Sequence, residues 1–392
     1  MTDKLIQGPF CRIQWVPLNL NSDKQVKDYL FTQGWQPTTW NYQKDRAGRK
    51  VKGPDGRHVK TSPKLTEDSY DSIKGETGQL IARRNILVHR RRSVFNITRK
   101  GELKGFLNLT RPDGRIEARG IPQGTNTGRY RHSNVVNVPS PHAVYGSEMR
   151  ELFTVPEGYV MLGTDASALE ARMEAHYCYD FEGGIEYAHE LVDGDIHSKN
   201  MAFFGTDRNG AKSPKYCLTY GGQPPTLAET VGCTLEAAQR MYDNFWSGNT
   251  ALAGFKESVE REYRRNGTTI NIPQRGGWIK QETKNGWIAG LDGRKIMIRS
   301  PHSAVNAKFQ SGGSIVVKMA TVFMNKWIKE AGLDAHQIIH MHDEVQFEVH
   351  PKDVEALTDI CHRSWKAAGE YFKLNVPITG DVRVGKNWSD TH

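Results

Sequence analysis

A chain of 392 residues with 53 Lys+Arg against 44 Asp+Glu, net charge +9, can bury a large core and form roughly one to three domains. No stretch reaches about 18 consecutive apolar residues and no apolar targeting run opens the chain, which argues against a membrane span or an exported protein. Cys11, Cys178, Cys217, Cys233 and Cys361 show no paired spacing, so a disulfide scaffold and a zinc ribbon are excluded and a reducing compartment is expected.

Taken in chain order, Ser22 to Leu30 reads as a helix capped by Ser22 or Asp23. Asn41 to Pro63 is rich in Lys, Arg, Gly and Asp without periodicity and is expected to be a mobile surface loop. Thr66 to about Val94 reads as one or two helices, with Leu80, Ile81, Leu87 and Val88 as apolar positions. Its Arg83, Arg84, Arg90, Arg91 and Arg92 suit either phosphate contact or a solvated helix face. Phe95 to Glu117 reads as short strands around Gly101 and the Pro112-Asp113-Gly114 turn. Val160 to Thr164 reads as a buried strand that delivers Asp165 at its end, followed by a helix with Leu169, Glu170, Arg172 and Met173. Ser311 to Ala331 is a helix with Ile315, Met319, Val322, Phe323 and Trp327 on its apolar stripe, and Gly312 and Gly313 suit close backbone packing. Gln337 to Val349 reads as a hairpin around an Asp343-Glu344 turn, with Val345, Phe347 and Val349 on one face.

Two carboxylates at strand edges, Asp165 and Asp343, can hold a pair of divalent cations for an in-line displacement at phosphorus. Mg²⁺ suits this role, because it takes few protein carboxylates and fills its shell with phosphate oxygens and water. An acidic turn by itself is more often simply solvated, and what alters the balance is a third segment. Arg208, Lys212, Tyr216 and Tyr220 recur every four residues. On a helix they would span about 18 Å, room for cations to clamp a triphosphate and rings to cover a sugar and base. An ordinary amphipathic helix has the same spacing, so this segment counts only in company. Pro214 either clashes with the Gly210 carbonyl inside that helix or lies in the first turn of a helix beginning after Gly210, leaving Arg208 on a loop.

Thr164-Asp165-Ala166-Ser167-Ala168-Leu169-Glu170-Ala171-Arg172, then Arg208…Lys212…Tyr216…Tyr220-Gly221, then His342-Asp343-Glu344 resemble, in that order, the three polymerase motifs of family A DNA polymerases. Thr127-Gly128-Arg129 before Asn134 to Pro139 is similar to the family's Thr-Gly-Arg signature, and Gly290 to Lys295 with Arg299-Ser300-Pro301-His302, Asn306 and Gln310 is similar to its primer–template segment. Gly194-Asp195-Ile196-His197-Ser198-Lys199-Asn200 and the ending Asn387-Trp388…His392 look closest to the branch found in short-tailed, T-odd-type bacteriophages. The resemblance covers nearly the whole chain and thins before about Ile116.

The resemblance implies an α+β right-hand polymerase fold, with an antiparallel palm sheet, mostly helical fingers and a truncated thumb. Residues 1–115 would form the thumb base and an N-terminal palm-associated segment, 116–178 and 301–392 the palm, and 179–300 the fingers. The implied reaction is two-metal-ion transfer of deoxynucleotides from their triphosphates to a primer paired with template DNA. Asp165, Asp343 and the Ala166 carbonyl would ligate two Mg²⁺ ions, with Mn²⁺ as a substitute. Arg208 and Lys212 would bind β- and γ-phosphate oxygens, Lys212 also protonating the leaving pyrophosphate. His197 matches the family's histidine near the β-phosphate, and Tyr216 would stack on the incoming nucleotide. Glu170 would crowd the sugar 2′ position and hydrogen-bond Tyr220. Glu344 would support the metal site from nearby. Arg129, Gln310 and Asn306 would read the minor groove near the primer terminus, where both base pairs present an acceptor. His342 would contact the primer-terminal nucleotide. Arg299 and His302 would line the duplex, His302 standing where bacterial relatives carry arginine.

The absence of an exonuclease segment and of a complete thumb in this sequence makes a split enzyme the expectation, with a second polypeptide supplying both. A processivity factor or replicative helicase is a further candidate partner, no membrane is expected, and the expected location is the cytoplasm of an infected bacterial host. Two rivals stand beside this reading. A single-subunit RNA polymerase shares the palm aspartates and the Lys-to-Tyr-Gly helix, but Glu170 and the Thr-Gly-Arg segment oppose it. A metal-dependent nuclease built on His340, His342, Asp343 and Glu344 leaves the clamp helix unexplained.

Overall fold

The computed structural model describes residues 16–46, 48–51, 53, 58–273 and 279–392. Cys11, the opening stretch read for a targeting run, and part of the 41–63 segment lie outside the described residues. The chain divides into two compact units, Met1–Arg115 and Ile116–His392.

In the first unit, α1 (Asp23–Thr32) begins where the Ser22 hydroxyl accepts the Gln25 amide, pairing an end donor that the helix itself leaves open. The 41–63 segment departs from the expected loop: β1 (Trp40–Tyr42) pairs antiparallel with β2 (Lys60–Pro63), and Lys44 bridges Lys50. Its charge-rich composition hid the pairing because the lysines lie over aromatic faces, Lys60 over Trp40 and Lys50 over Tyr42. Next come α2 (Glu67–Tyr70), α3 (Glu76–Val94), the hairpin β3 (Asn96–Ile97) and β4 (Leu103–Lys104), and α4 (Phe106–Leu109). On α3 the buried stripe is Ile81, Ala82 and Ile86, whereas Leu80 and Leu87 are exposed, a rotation from the expected face. Ile81 and Ala82 join Val26, Leu30, Trp35 and Ile73 in the unit's core. Among the five arginines, Arg90 is buried against Glu67, and Arg84 donates to the Leu20 carbonyl and to Asn21.

The second unit runs through β5 (Gly120–Ile121), β6 (Arg131–His132), α5 (Gly146–Glu151), β7 (Val160–Ala166), α6 (Leu169–Cys178), α7 (Gly184–Val192), α8 (Ile196–Phe204), α9 (Lys212–Thr219), α10 (Pro224–Val231), α11 (Leu235–Gly248) and α12 (Thr250–Arg265). Hairpins β8 (Thr268–Pro273)–β9 (Ile279–Lys284) and β10 (Trp287–Ala289)–β11 (Lys295–Met297) follow, then α13 (Ala304–Ala331), β12 (Ala335–Met341), β13 (Glu344–Val349), α14 (Val354–Tyr371) and β14 (Gly380–Gly385).

A four-stranded antiparallel sheet in the order β12-β13-β7-β14 organises this unit. Val345, Phe347 and Val349 on β13 are fully covered, packed with Leu162 against Val316, Val317, Met324 and Trp365 of α13 and α14. Each such side chain contributes about 2 kcal/mol through its burial. The indole Nε1 of Trp365 donates to Thr164 Oγ1 at 2.8 Å, which ties α14 to β7. The turn between β12 and β13 is His342-Asp343 rather than Asp343-Glu344, because Glu344 already belongs to the β13 ladder. Helix α13 starts at Ala304, seven residues earlier than expected, and Val322 lies off its buried face, 58% exposed. A Cβ on Gly312 would meet Met173 at 2.6 Å, so α6 and α13 cross in close contact there. A second core gathers Leu218, Phe245, Leu252, Tyr263 and Phe309 among the helices. No helix of the described residues is long and apolar enough to cross a membrane.

Candidate active site

Sheet register brings the carboxylates together. Asp165 on β7 stands opposite Glu344 of β13 on one side and Asp381 of β14 on the other. Asp343 directly precedes Glu344, and its carbonyl accepts the Ala166 amide at 3.2 Å. Asp165, Ala166 and Asp343 therefore meet at one end of the sheet. One side of Asp165 is open to solvent, yet burial, then the charges of Asp343 and Glu344, push its carboxyl up to about 7. A carboxylate raised by its acidic neighbours marks a place short of positive charge, and hard oxygen donors match a Mg²⁺ ion whose remaining ligands are water and substrate. Among the described residues no group of three or more His, Cys, Asp or Glu side chains is arranged to hold a metal. The donor set is thus a carboxylate pair rather than a closed protein cage.

Glu344 has a different setting from its neighbour. It is buried, 4% exposed, and its carboxylate is fully engaged. Trp388 Nε1 and Gln346 Nε2 donate to its Oε1, His392 Nδ1 lies 2.9 Å from Oε2, and Arg150 stands 3.8 Å away. Burial would raise this carboxyl, but hydrogen bonds from His392, Trp388 and Gln346 outweigh it and hold the group below the ordinary glutamate range. Arg150 also lies over the Trp388 ring at 4.2 Å. Glu344 is a structural anchor beneath the pair, and its oxygens are taken.

A second group of the expected site residues lies on and beside α9. The helix covers Lys212–Thr219, so Pro214 falls in its first turn, where a missing amide costs little. Arg208 and Tyr220 flank the helix rather than lying within it: of the two arrangements the sequence left open, the helix begins after Gly210 and Arg208 sits in the preceding turn. Arg208 Nε bonds Asp195 Oδ2 at 2.6 Å, and this guanidinium holds the Asp195 carboxyl well below the usual range. Asp195 is also the cap of α8, accepting the His197 and Ser198 amides. The His197 ring lies 6.1 Å from Tyr216, and Tyr216 lies 5.9 Å from Tyr220. Burial, then Lys215 and Lys212, lower His197, which favours its neutral form. Tyr220 donates to Glu170 Oε2 at 3.0 Å. Gly221, at φ +88°, ends the segment where a Cβ would sit 2.1 Å from the His302 carbonyl, so no other residue fits without displacement.

Arg129, Glu170, Gln310, His342 and Asp343 line one small pocket beside the carboxylates. A wider cleft of about 990 Å³ adjoins it through Gln310 and takes in Thr127, Arg299 and Asn306. His302, 3.9 Å from Glu260, is not among the residues lining either space. Near His342, the Tyr130 ring packs on His340 at 4.1 Å, and His132 contacts the His340 carbonyl at 2.6 Å. Sequence reasoning missed Asp381, the ring cluster around His340, the cradle of Glu344, and a buried pair of Lys215 on α9 with Glu174 on α6. The alternation in Gly380-Asp381-Val382-Arg383-Val384 was a readable strand signal; the other sets are assembled from distant segments and leave no local pattern.

Comparison with known proteins agrees with this geometry. The model of the DNA polymerase family A matches residues 8–390. The DNA-directed DNA polymerase of Enterobacteria phage T3 is 27% identical over 98% of this chain and 54% of its own length, and that of Escherichia phage T7 is 26% identical with the same coverage. DNA polymerase I of Pseudomonas aeruginosa is 29% identical over 68% of this chain and 29% of its own length. The chain thus spans about half the length of the phage relatives. The POL domain of Pol1 from M. smegmatis, solved with DNA primer-template and dNTP, superposes with a TM-score of 0.68 at 22% identity, covering 95% of this chain and 61% of that one. The α+β arrangement is that of a polymerase domain, and the chain belongs to the DNA polymerase family A.

Proposed function

We propose that this chain is a template-directed DNA polymerase that joins a primer 3′-hydroxyl to the α-phosphate of an incoming deoxynucleoside triphosphate and releases pyrophosphate. The observation that supports this most is the meeting of Asp165 and Asp343 at one sheet end, next to a pocket shared by Arg129, Glu170, Gln310 and His342. Two Mg²⁺ ions held there by Asp165, Asp343 and the Ala166 carbonyl would supply neutralisation of the reacting phosphate and activation of the primer hydroxyl. The protein's own work is positioning and charge. Lys212 and Arg208 bind the β- and γ-phosphate oxygens, Arg208 exchanging Asp195 for phosphate. Lys212 gives the proton that leaves with pyrophosphate. His197 steadies the β-phosphate and Tyr216 stacks on the sugar and base. Glu170, fixed by Tyr220, closes the space a 2′-hydroxyl would need. Arg129, Asn306 and Gln310 donate to minor-groove acceptors, and His342, Arg299 and His302 meet the primer–template.

In this reading residues 116–178 and 301–392 form the palm, 179–300 the fingers and 1–115 the thumb base. The phage relatives favour a role in bacteriophage DNA replication in the cytoplasm of an infected host. The Glu170–Tyr220 bond disfavours an RNA polymerase, which must admit the 2′-hydroxyl.

The test is extension of a labelled primer on a defined template with one nucleotide offered at a time and Mg²⁺ present. Addition of only the complementary deoxynucleotide, with poor use of its ribonucleotide, is expected. Addition irrespective of template, or shortening of the primer as the only reaction, would overturn the proposal.

A further inference from the structure

The inner face of α9 holds a charge that the reaction above does not use. Ala211, Pro214, Lys215, Leu218 and Thr219 are buried, at the i, i+3, i+4, i+7, i+8 spacing of a core-facing stripe. A lysine on such a stripe must be paired. Lys215 Nζ lies 2.6 Å from Glu174 Oε2, with the two side chains 4% and 2% exposed. The other oxygen of Glu174 accepts the Tyr187 hydroxyl at 2.6 Å. One carboxylate of α6 thus ties α9 to α7. One turn earlier on α6, Glu170 accepts Tyr220. The outer face of α9 carries Lys212 and Tyr216, with Tyr220 just past the helix end; the two rings are 40% and 42% exposed.

We propose that Lys215 and Glu174 are a positioning pair that fixes the rotation of α9, and with it the placement of Tyr216 and Tyr220 against the sugar of an incoming nucleotide. An apolar stripe tolerates small rotations, because dispersion and burial are non-directional. Two short hydrogen bonds on one buried carboxylate are directional, and buried polar pairs are best attested as devices that set register. A rotation of about 20° would move a side-chain tip on the opposite face by about 2 Å. This inference rests on the nucleotide-binding role given to Tyr216 above.

The experiment compares Lys215→Met, Glu174→Leu and the double variant in thermal unfolding and steady-state primer extension. Lys215→Met strands a buried carboxylate and should lower Tm, whereas the double variant replaces the ion pair by an apolar pair and should recover part of the loss, the Tyr187 hydroxyl still lacking its acceptor. A merely structural pair would recover its kinetics together with its Tm. A positioning pair should leave the double variant with a KM for the correct deoxynucleotide raised about 10-fold, a deoxy-over-ribo preference lowered about 10-fold, and kcat within about 3-fold. A double variant with KM and sugar preference within about twofold of wild type would overturn the proposal. Should the double variant not fold, Tyr187→Phe removes a single hydrogen bond from Glu174. It should shift both quantities about 2- to 3-fold in the same directions, and unchanged values would overturn the proposal. Wild-type protein that extends no primer would bring down the polymerase reading and this role with it. Wild-type extension with kinetically unaltered variants would bring down this role alone.

Discussion

The carboxylate end of the site and its α9 side are held by different means. Asp165, Glu344 and Asp381 face one another because three strands are in register, so backbone ladders set their positions. The residues on and beside α9 are held by side chains: Arg208 by Asp195, Lys215 by Glu174, Tyr220 by Glu170. A ladder has one arrangement, and the buried Lys215–Glu174 pair is directional too, whereas an exposed pair such as Arg208–Asp195 can be exchanged for a ligand. The carboxylate end is therefore pre-set by the backbone, and the α9 side is adjustable where its pairs are exposed.

The contrast is broken most forcefully on the sheet side. Trp388 is fully buried, packs edge-on against Phe153 at 5.5 Å and donates to Glu344. Trp388→Ala should cost about 4 kcal/mol from the cavity and the abandoned carboxylate, measured by denaturant unfolding. A loss below about 1 kcal/mol would mean that Glu344 is not anchored in this way. Gly221→Ala tests the junction of the two sides. With positive φ and the His302 carbonyl in the way, it should cost about 2 kcal/mol and weaken nucleotide binding together with stability.

A pH measurement sharpens the sheet side further. Burial, then His132, Lys318 and His342, push His340 down from 6.5 to about 4. Its folded-state pKa is depressed, so its contribution is intact above the unfolded value and is lost as pH falls through that window. Unfolding free energy should drop by about 1 kcal/mol between about pH 6 and about pH 5. His340→Gln should reduce that slope, leaving the shares of His132, His176, His197 and His342, which burial also lowers. On the α9 side, Asp195→Asn keeps a capping side chain for α8 but removes the charge that holds Arg208. Global stability should barely change while the KM for deoxynucleotide falls about 2- to 5-fold; a rise in KM would mean that Asp195 presents Arg208 instead of withholding it.

The same division explains what was legible in the sequence. The β7 strand, the hairpin that bears Asp343, and the order of the three motifs could be read, because each is local and periodic. The cradle of Glu344 could not, since Arg150 and the C-terminal pair Trp388 and His392 come from two segments far from Glu344 in sequence. The β1–β2 pairing was hidden by its lysines, and the α3 stripe was misplaced because Leu80 and Leu87 are apolar yet exposed. Lys215 was passed over because a lysine beside Lys212 reads as solvated until its burial is seen.

The central claim is that Asp165 and Asp343 act as one unit. Single-turnover addition of one deoxynucleotide should be measured for wild type, Asp165→Asn, Asp343→Asn and the double variant, with primer–template binding measured alongside. Each single variant should lose about 1000-fold or more in rate while still binding DNA, and the double should lose little beyond the worse single. Single variants within about 10-fold of wild type, or losses that multiply in the double, would contradict a shared carboxylate pair.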